Sequence, residues 1–353
     1  MSGSEDVNGL CVGKFWPPHL GHHSMIDHLC RISKNAFVII CEAENQRPTG
    51  RERALWLQSI HPYSEVIVVN DLCVWHGQDP CLPECSAKWA QRVESLGLPS
   101  IDIVVANEDY GSRFAAALGA DLVRPDPMRT MFPISAREIR ADLESNWDML
   151  HPVVRAGLHR RVAVIGAEST GTTTLTRNLS QTLDAPLTSE VGRTISWELF
   201  AAADSMDSIP WDDEVFWTIL HRQARFESEA LFAGSAGKPH ELGPWLVCDT
   251  DSLATVAWWE RYLESPSTPA HNYALSRLAD FYILTSPEGV AFDDSDPLRD
   301  GIAIRQTMHL RLRELLETSG TPFVEVHGPR QQRLDQSIVA LRTHEQRTPR
   351  WSN

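Results

Sequence analysis

Two α/β domains in tandem, each on a largely parallel sheet, are the fold class the sequence predicts, and three observations predict it. Short apolar runs alternate with amphipathic stretches along the chain, the pattern of βαβ units. At 353 residues the chain is longer than one ordinary core needs. Near the middle, a second series of apolar runs starts afresh after a helical segment.

In the first series LCVGKF, FVIICE, VIVVND, IDIVVAN and DLVRP read as strands, with helices such as SMIDHLCRISK, RERALWLQSI and SAKWAQRVESLG between them. The second opens at RVAVIG and continues through WLVCDTD, DFYILTS and FVEVHG, with IRQTMHLRLRELLETSG its clearest helix. The seam falls in Asn146–Arg161, which divides the chain into domains 1–150 and 151–353. There is no short repeat and no low-complexity linker.

Composition excludes several function classes. A 42% hydrophobic and 22% charged chain is of globular type. A net charge of -15 argues against duplex nucleic acid or an anionic membrane as the main partner. Small anionic ligands need only a local patch. The start, MSGSEDVNGL, has no basic and apolar signal pattern, and no apolar run is long enough to span a bilayer. Seven scattered cysteines fit reduced thiols in a cytoplasm. Cys73, His76, Cys81 and Cys85 lie close together, but without paired C-x-x-C knuckles; loop thiols are expected there rather than zinc.

Chemistry concentrates at two places. In GKFWPPHLGHH, two prolines turn the chain as a strand hands over to a helix. His19 and His22 then stand at a helix start and a strand's carboxyl end, where imidazoles and free N–H groups can meet phosphate. In PISAREIRADL, Ser135 and Glu138 form a capping box that opens a helix, with Arg140 near the same end.

The second place is VAVIGAESTGTTTL. An apolar strand, Gly166 and Gly171 at phosphate-loop spacing, and hydroxyl residues opening a helix make a phosphate-binding loop of Gly166, Glu168, Ser169, Thr170, Gly171, Thr172, Thr173 and Thr174. Thr173 keeps the magnesium-binding hydroxyl, but Thr172 stands in the lysine slot. WLVCDTD ends in Asp249 and Asp251, suited to hold magnesium or accept a proton.

The G-x-F-x-P-x-H-x-G-H string resembles the signature of the nucleotidylyltransferase superfamily. Together, GKFWPPHLGH, NEDYG, RPDPMRTMFPISAREIR and the following phosphate loop resemble the NadR-type bifunctional enzymes from about Leu10 to about Ala340. The resemblance implies a Rossmann-like nucleotidylyltransferase domain followed by a P-loop kinase domain. It implies adenylyl transfer from ATP to nicotinamide mononucleotide in the first, and ATP-dependent phosphorylation of ribosylnicotinamide in the second, with Mg2+.

By that resemblance His19, His22, Ser135 and Arg140, with Lys14, contact the triphosphate, and Asp126 and Arg129 match a family stretch. Trp89 is a candidate to stack on the nicotinamide ring, or to pack in the core. Glu190 and Arg193 in SEVGR resemble the Glu-x-x-Arg of the kinase half, and Arg299 and Arg305 lie in a lid-like DDSDPLRDGIAIR. Some family members carry a helix-turn-helix repressor segment; a first strand near Leu10 leaves no room for one here, so no DNA-binding role is expected. Two alternatives stay open: a second domain that senses nucleotide without turnover, or another phosphorylated acceptor for the first. The oligomeric state is open too, a homo-oligomer included.

Overall fold

The computed structural model describes residues 6–70, 83–203, 208–293, 295–299 and 301–352. The chain forms two compact units. One runs to Leu158 and takes back the chain from Pro349; the other is His159–Thr348. The division after Leu158 lies within the stretch Asn146–Arg161, past the domain boundary expected at residue 150. The reason is the helix Pro152–Leu158, whose Val154 and Leu158 pack with Trp56, Ile139 and Trp147 of the first unit.

The first unit begins β1 Asn8–Gly13, α1 Leu20–Ile32, β2 Asn35–Glu42, α2 Gly50–Ile60 and β3 Ser64–Asn70. It continues α3 Pro83–Glu94, β4 Ile103–Val105, α4 Tyr110–Leu118, β5 Asp121–Val123, α5 Ala136–Ala141 and α6 Pro152–Leu158. The five strands are parallel in the order β3-β2-β1-β4-β5. The order reverses beside β1, so the loop leaving β1 opens at the switch point where such sheets bind ligands. Both faces are covered, which is why Phe37–Cys41 reads as an unbroken apolar run.

The second unit begins β6 Arg160–Ile165, α7 Thr172–Thr182, β7 Leu187–Thr188, α8 Val191–Ala202, α9 Asp213–Gly234 and β8 Trp245–Asp249. It continues α10 Ser252–Leu263, α11 Thr268–Leu275, β9 Phe281–Thr285, α12 Ile302–Ser319, β10 Phe323–Val326 and α13 Arg330–Arg347. Its strands are parallel in the order β10-β9-β6-β8-β7. The two-residue β7 is too short to leave a pattern and is absent from the sequence-based strand set. With β6 central, the loop after it is flanked by the ends of β8 and β9.

No helix among the described residues is long and apolar enough to cross a membrane.

Candidate active sites, one in each unit

At the end of β1, Phe15 and Trp16 are buried and Arg53, fully buried, clamps the turn. Its guanidinium donates to the carbonyls of Lys14 and Thr49 and to the Gln46 side chain. The half-buried Lys14 is carried on that turn. His19 then caps α1; its backbone N–H donates to His22 Nδ1 at 3.3 Å, and the two rings stack with centres 3.7 Å apart. Burial, then the Arg129 charge, pulls His19 down to about 4, with Glu138 opposing. Burial, then His19, holds His22 well below the usual histidine range. Both rings are thus neutral near pH 7.

α5 comes to the same place. Ser135 caps it as the sequence predicts: the backbone N–H and the hydroxyl both donate to Glu138, at 2.7 and 2.6 Å. Arg140 donates to the Trp16 carbonyl and lies 4.0 Å over the Trp16 ring. Asp126 accepts from the backbones of Thr130 and Met131 and so shapes the loop that carries Arg129. His61, at the end of α2, bridges Asp27 and His23 of α1 at 3.0 and 2.9 Å. The sequence reading missed it, because the partners are far apart in the chain.

Of the two places open to Trp89, ring stacking or the core, it takes the core. It is 7% exposed and packs with Leu10, Phe37 and Phe114, because amphipathic α3 turns it to the sheet. It is a core residue. Cys73, His76 and Cys81 lie outside the described residues, and Cys85 is a free, half-buried thiol. Among the described residues no cluster of three or more His, Cys, Asp or Glu could hold a metal.

The second unit encloses a cavity of about 1040 Å³ around the loop Gly166–Thr174. A Cβ at Gly166 would stand 2.0 Å from Thr285 Oγ1, so only glycine lets β6 turn against β9. Gly171 caps α7 at φ 86°, leaving the N–H groups of Thr172–Thr174 in the first turn free for phosphate. Ser169 takes φ 59°, and its hydroxyl accepts from the Asp293 N–H at 2.8 Å.

Facing the loop are Asp249, 4% exposed at the end of β8, and Glu190 at the start of α8. Thr173 hydrogen-bonds Asp249, whose carboxyl burial pushes up. Burial and then the Asp249 charge raise Glu190 to about 7, against the pull of Arg193. Thr173 and Asp249 offer hard oxygen ligands beside a phosphate loop, a donor set that fits Mg2+ completed by water and substrate phosphate. Arg193 pairs with Asp296, and Arg299 pairs with Asp293 at 3.0 Å.

Two sequence candidates are assigned elsewhere. Asp251 is 2% exposed; it caps α10 through the N–H groups of Leu253 and Ala254 and accepts the Tyr282 hydroxyl. Arg305, 4% exposed, spends its guanidinium on the carbonyls of Val290 and Ser169. Neither lines the cavity. The sequence reading also passed over an aromatic wall. Trp211, Phe216, Trp258 and Tyr262 line the cavity, and Trp211 and Tyr262 stack with centres 4.6 Å apart. In a chain of twelve tryptophans, no spacing singles them out.

The family model described as an AAA domain matches residues 161–333. The chain is 26% identical over 201 residues to the trifunctional NAD biosynthesis/regulator protein NadR of Salmonella typhimurium, and equally to that of Escherichia coli. Each match covers 52% of the chain and 48% of the relative, so the chain matches about half the length of these curated relatives. Among solved structures, a NadR protein in complex with NR superposes with a TM-score of 0.64 at 19% identity, covering 96% of both chains. The chain shares the fold of that structure over nearly its whole length. A second NadR structure, with NAD and AMP-PNP, gives 0.62 over the same coverage. The NadR-type fold thus extends over both units in the same order.

Proposed function

We propose that this chain makes NAD in two ATP-dependent steps, one in each unit. In the first unit, the phosphate of nicotinamide mononucleotide attacks the α-phosphorus of ATP and pyrophosphate leaves. The attacking oxygen is already anionic, so no base is needed; catalysis rests on alignment and charge stabilisation. His19 and His22 at the start of α1, with Ser135 and Arg140 from α5, suit the triphosphate. That α1 and α5 converge at the sheet's switch point is the observation that carries this half.

In the second unit, the 5′-hydroxyl of ribosylnicotinamide attacks the γ-phosphorus of a second ATP. Loop N–H groups hold the phosphates, while Thr173 and Asp249 would hold Mg2+, which neutralises phosphate charge. Glu190, raised to about 7, is matched to accept the hydroxyl proton. The stacked pair Trp211 and Tyr262 suits a flat pyridinium cation. The chemistry links the halves: the kinase product is the adenylyl acceptor. The relatives' names and the ligands of the two solved NadR structures, NR and NAD with AMP-PNP, support the same substrates.

Thr172 favours a second reading of this unit, as a nucleotide sensor, because the lysine charge at the β- and γ-phosphates is missing. Against it stands Arg299, a cation already in the cavity wall. Purified protein with Mg-ATP decides between them. Mononucleotide should give NAD and pyrophosphate, and riboside should give mononucleotide and ADP. Absence of NAD from mononucleotide overturns the first half; ATP binding without riboside turnover selects the sensor.

A further inference from the structure

Arg140, the cation from α5, takes its position from Trp16. The guanidinium donates to the Trp16 carbonyl and to that of Ala136 at 3.1 Å, and its carbon lies 4.0 Å from the indole centre. Trp16 is in turn held from the far side. It is 7% exposed, and its indole N–H donates to the Arg47 carbonyl at 2.6 Å.

What braces Arg47 and Trp16 is the segment after α13. The Arg47 N–H donates to the Ser352 carbonyl at 2.9 Å, and the Ser352 hydroxyl donates to the Asn45 carbonyl at 3.2 Å. The Trp351 ring meets Trp16 at 86°, with centres 6.4 Å apart, the edge-to-face arrangement the ring quadrupoles favour. Trp351 packs on the cluster of Trp56, Ile139 and Trp147, and Arg350 donates to the Leu158 carbonyl at 2.8 Å. A residue near the end of the chain is thus two contacts from the arginine beside the first signature.

We propose that Trp351 is a positioning residue for adenylyl transfer: it holds Trp16, and through Trp16 the Arg140 guanidinium, where the triphosphate of ATP arrives. The inference rests on the adenylyltransferase reading of the first unit. Trp351 acts on no reacting atom, so its loss changes where a charge sits rather than which groups are present. A small misplacement of such a group is costly to catalysis.

The test uses the full chain and NAD formation from mononucleotide. Trp351→Ala should raise the KM for ATP about tenfold or more, with a smaller fall in kcat. Trp351→Phe, which keeps an aromatic edge, should recover most of it, and Trp351→Leu, which keeps the bulk, should not. Thermal unfolding confirms that each variant is folded. In an Arg140→Ala background Trp351→Ala should add little, since residues acting through one another are not additive. A KM for ATP unchanged in Trp351→Ala, an equal loss with and without Arg140, or equal recovery by phenylalanine and leucine overturns the inference. A wild-type chain that forms no NAD overturns the adenylyltransferase reading and this inference with it, a failure distinct from normal wild-type activity with an indifferent Trp351.

Discussion

Arg333 donates to the carbonyl of Thr170 at 2.8 Å, across 163 residues of sequence. The same guanidinium holds the carbonyls of Ser286 and Gly328 at 2.8 and 2.7 Å. One buried side chain on α13 thus ties the phosphate loop to the ends of β9 and β10. Arg333→Met should destabilise the second unit by ~2–3 kcal/mol, the scale of charged hydrogen bonds lost with their acceptors left buried. Calorimetry should show a lower Tm for that unit and weaker ATP binding to it.

On the proposed reading Glu190 should make riboside phosphorylation pH-dependent. Its pKa is raised to about 7, so below that pH it carries the proton it should accept, and above it is a free carboxylate. The kinase kcat/KM should therefore fall as pH drops through about 7, and level off above. Glu190→Gln should remove that limb and cost ~10²–10⁴ in kcat. A pH profile of mononucleotide formation checks both.

His22→Ala should lower adenylyl transfer by ~10²–10³, the loss of one preorganised charge-stabilising group. Riboside phosphorylation should be unchanged. Parallel assays of one preparation read both; an equal loss in the two would contradict separate sites.

On the proposed reading, Thr172 in the lysine slot leaves Arg299, in the cavity wall, to supply the missing charge. Thr172→Lys should change riboside turnover less than about tenfold, a barrier difference under ~1.4 kcal/mol. Arg299→Ala should cost about 10³, the scale of a transition-state arginine. Steady-state rates of ADP formation with riboside decide it.

Asp251→Ala should lower stability while leaving riboside turnover nearly intact, because the side chain caps α10 away from the cavity. Loss of such a cap costs ~1 kcal/mol. Denaturant unfolding alongside the kinase assay separates this from a catalytic role.

Local rules made much of this legible. Among the described residues, apolar runs bounded by turn residues mark nine of ten strands, and the Ser135–Glu138 box is present as read. Gly166 is where a phosphate loop requires it, for a steric reason the structure supplies. What escaped depends on tertiary packing. CDTD offers Asp249 and Asp251 alike, but the chain turns at Thr250, φ 71°, so Asp249 ends β8 at the cavity while Asp251 caps α10. Arg299 and Arg305 likewise share a lid-like stretch, and only burial against carbonyls removes Arg305. Trp89 and Trp211 are both tryptophans, and only packing tells them apart: Trp89 meets Leu10 and Phe37 of the sheet, whereas Trp211, just before α9, stacks on Tyr262 at the cavity.

The most direct measurement of the central reading is product stoichiometry from ribosylnicotinamide. The full chain with riboside and excess Mg-ATP should release one ADP and one pyrophosphate for each NAD formed, with mononucleotide as the transient intermediate. ADP and mononucleotide without NAD would contradict the adenylyltransferase half; neither product from riboside, with NAD still formed from mononucleotide, would contradict the kinase half.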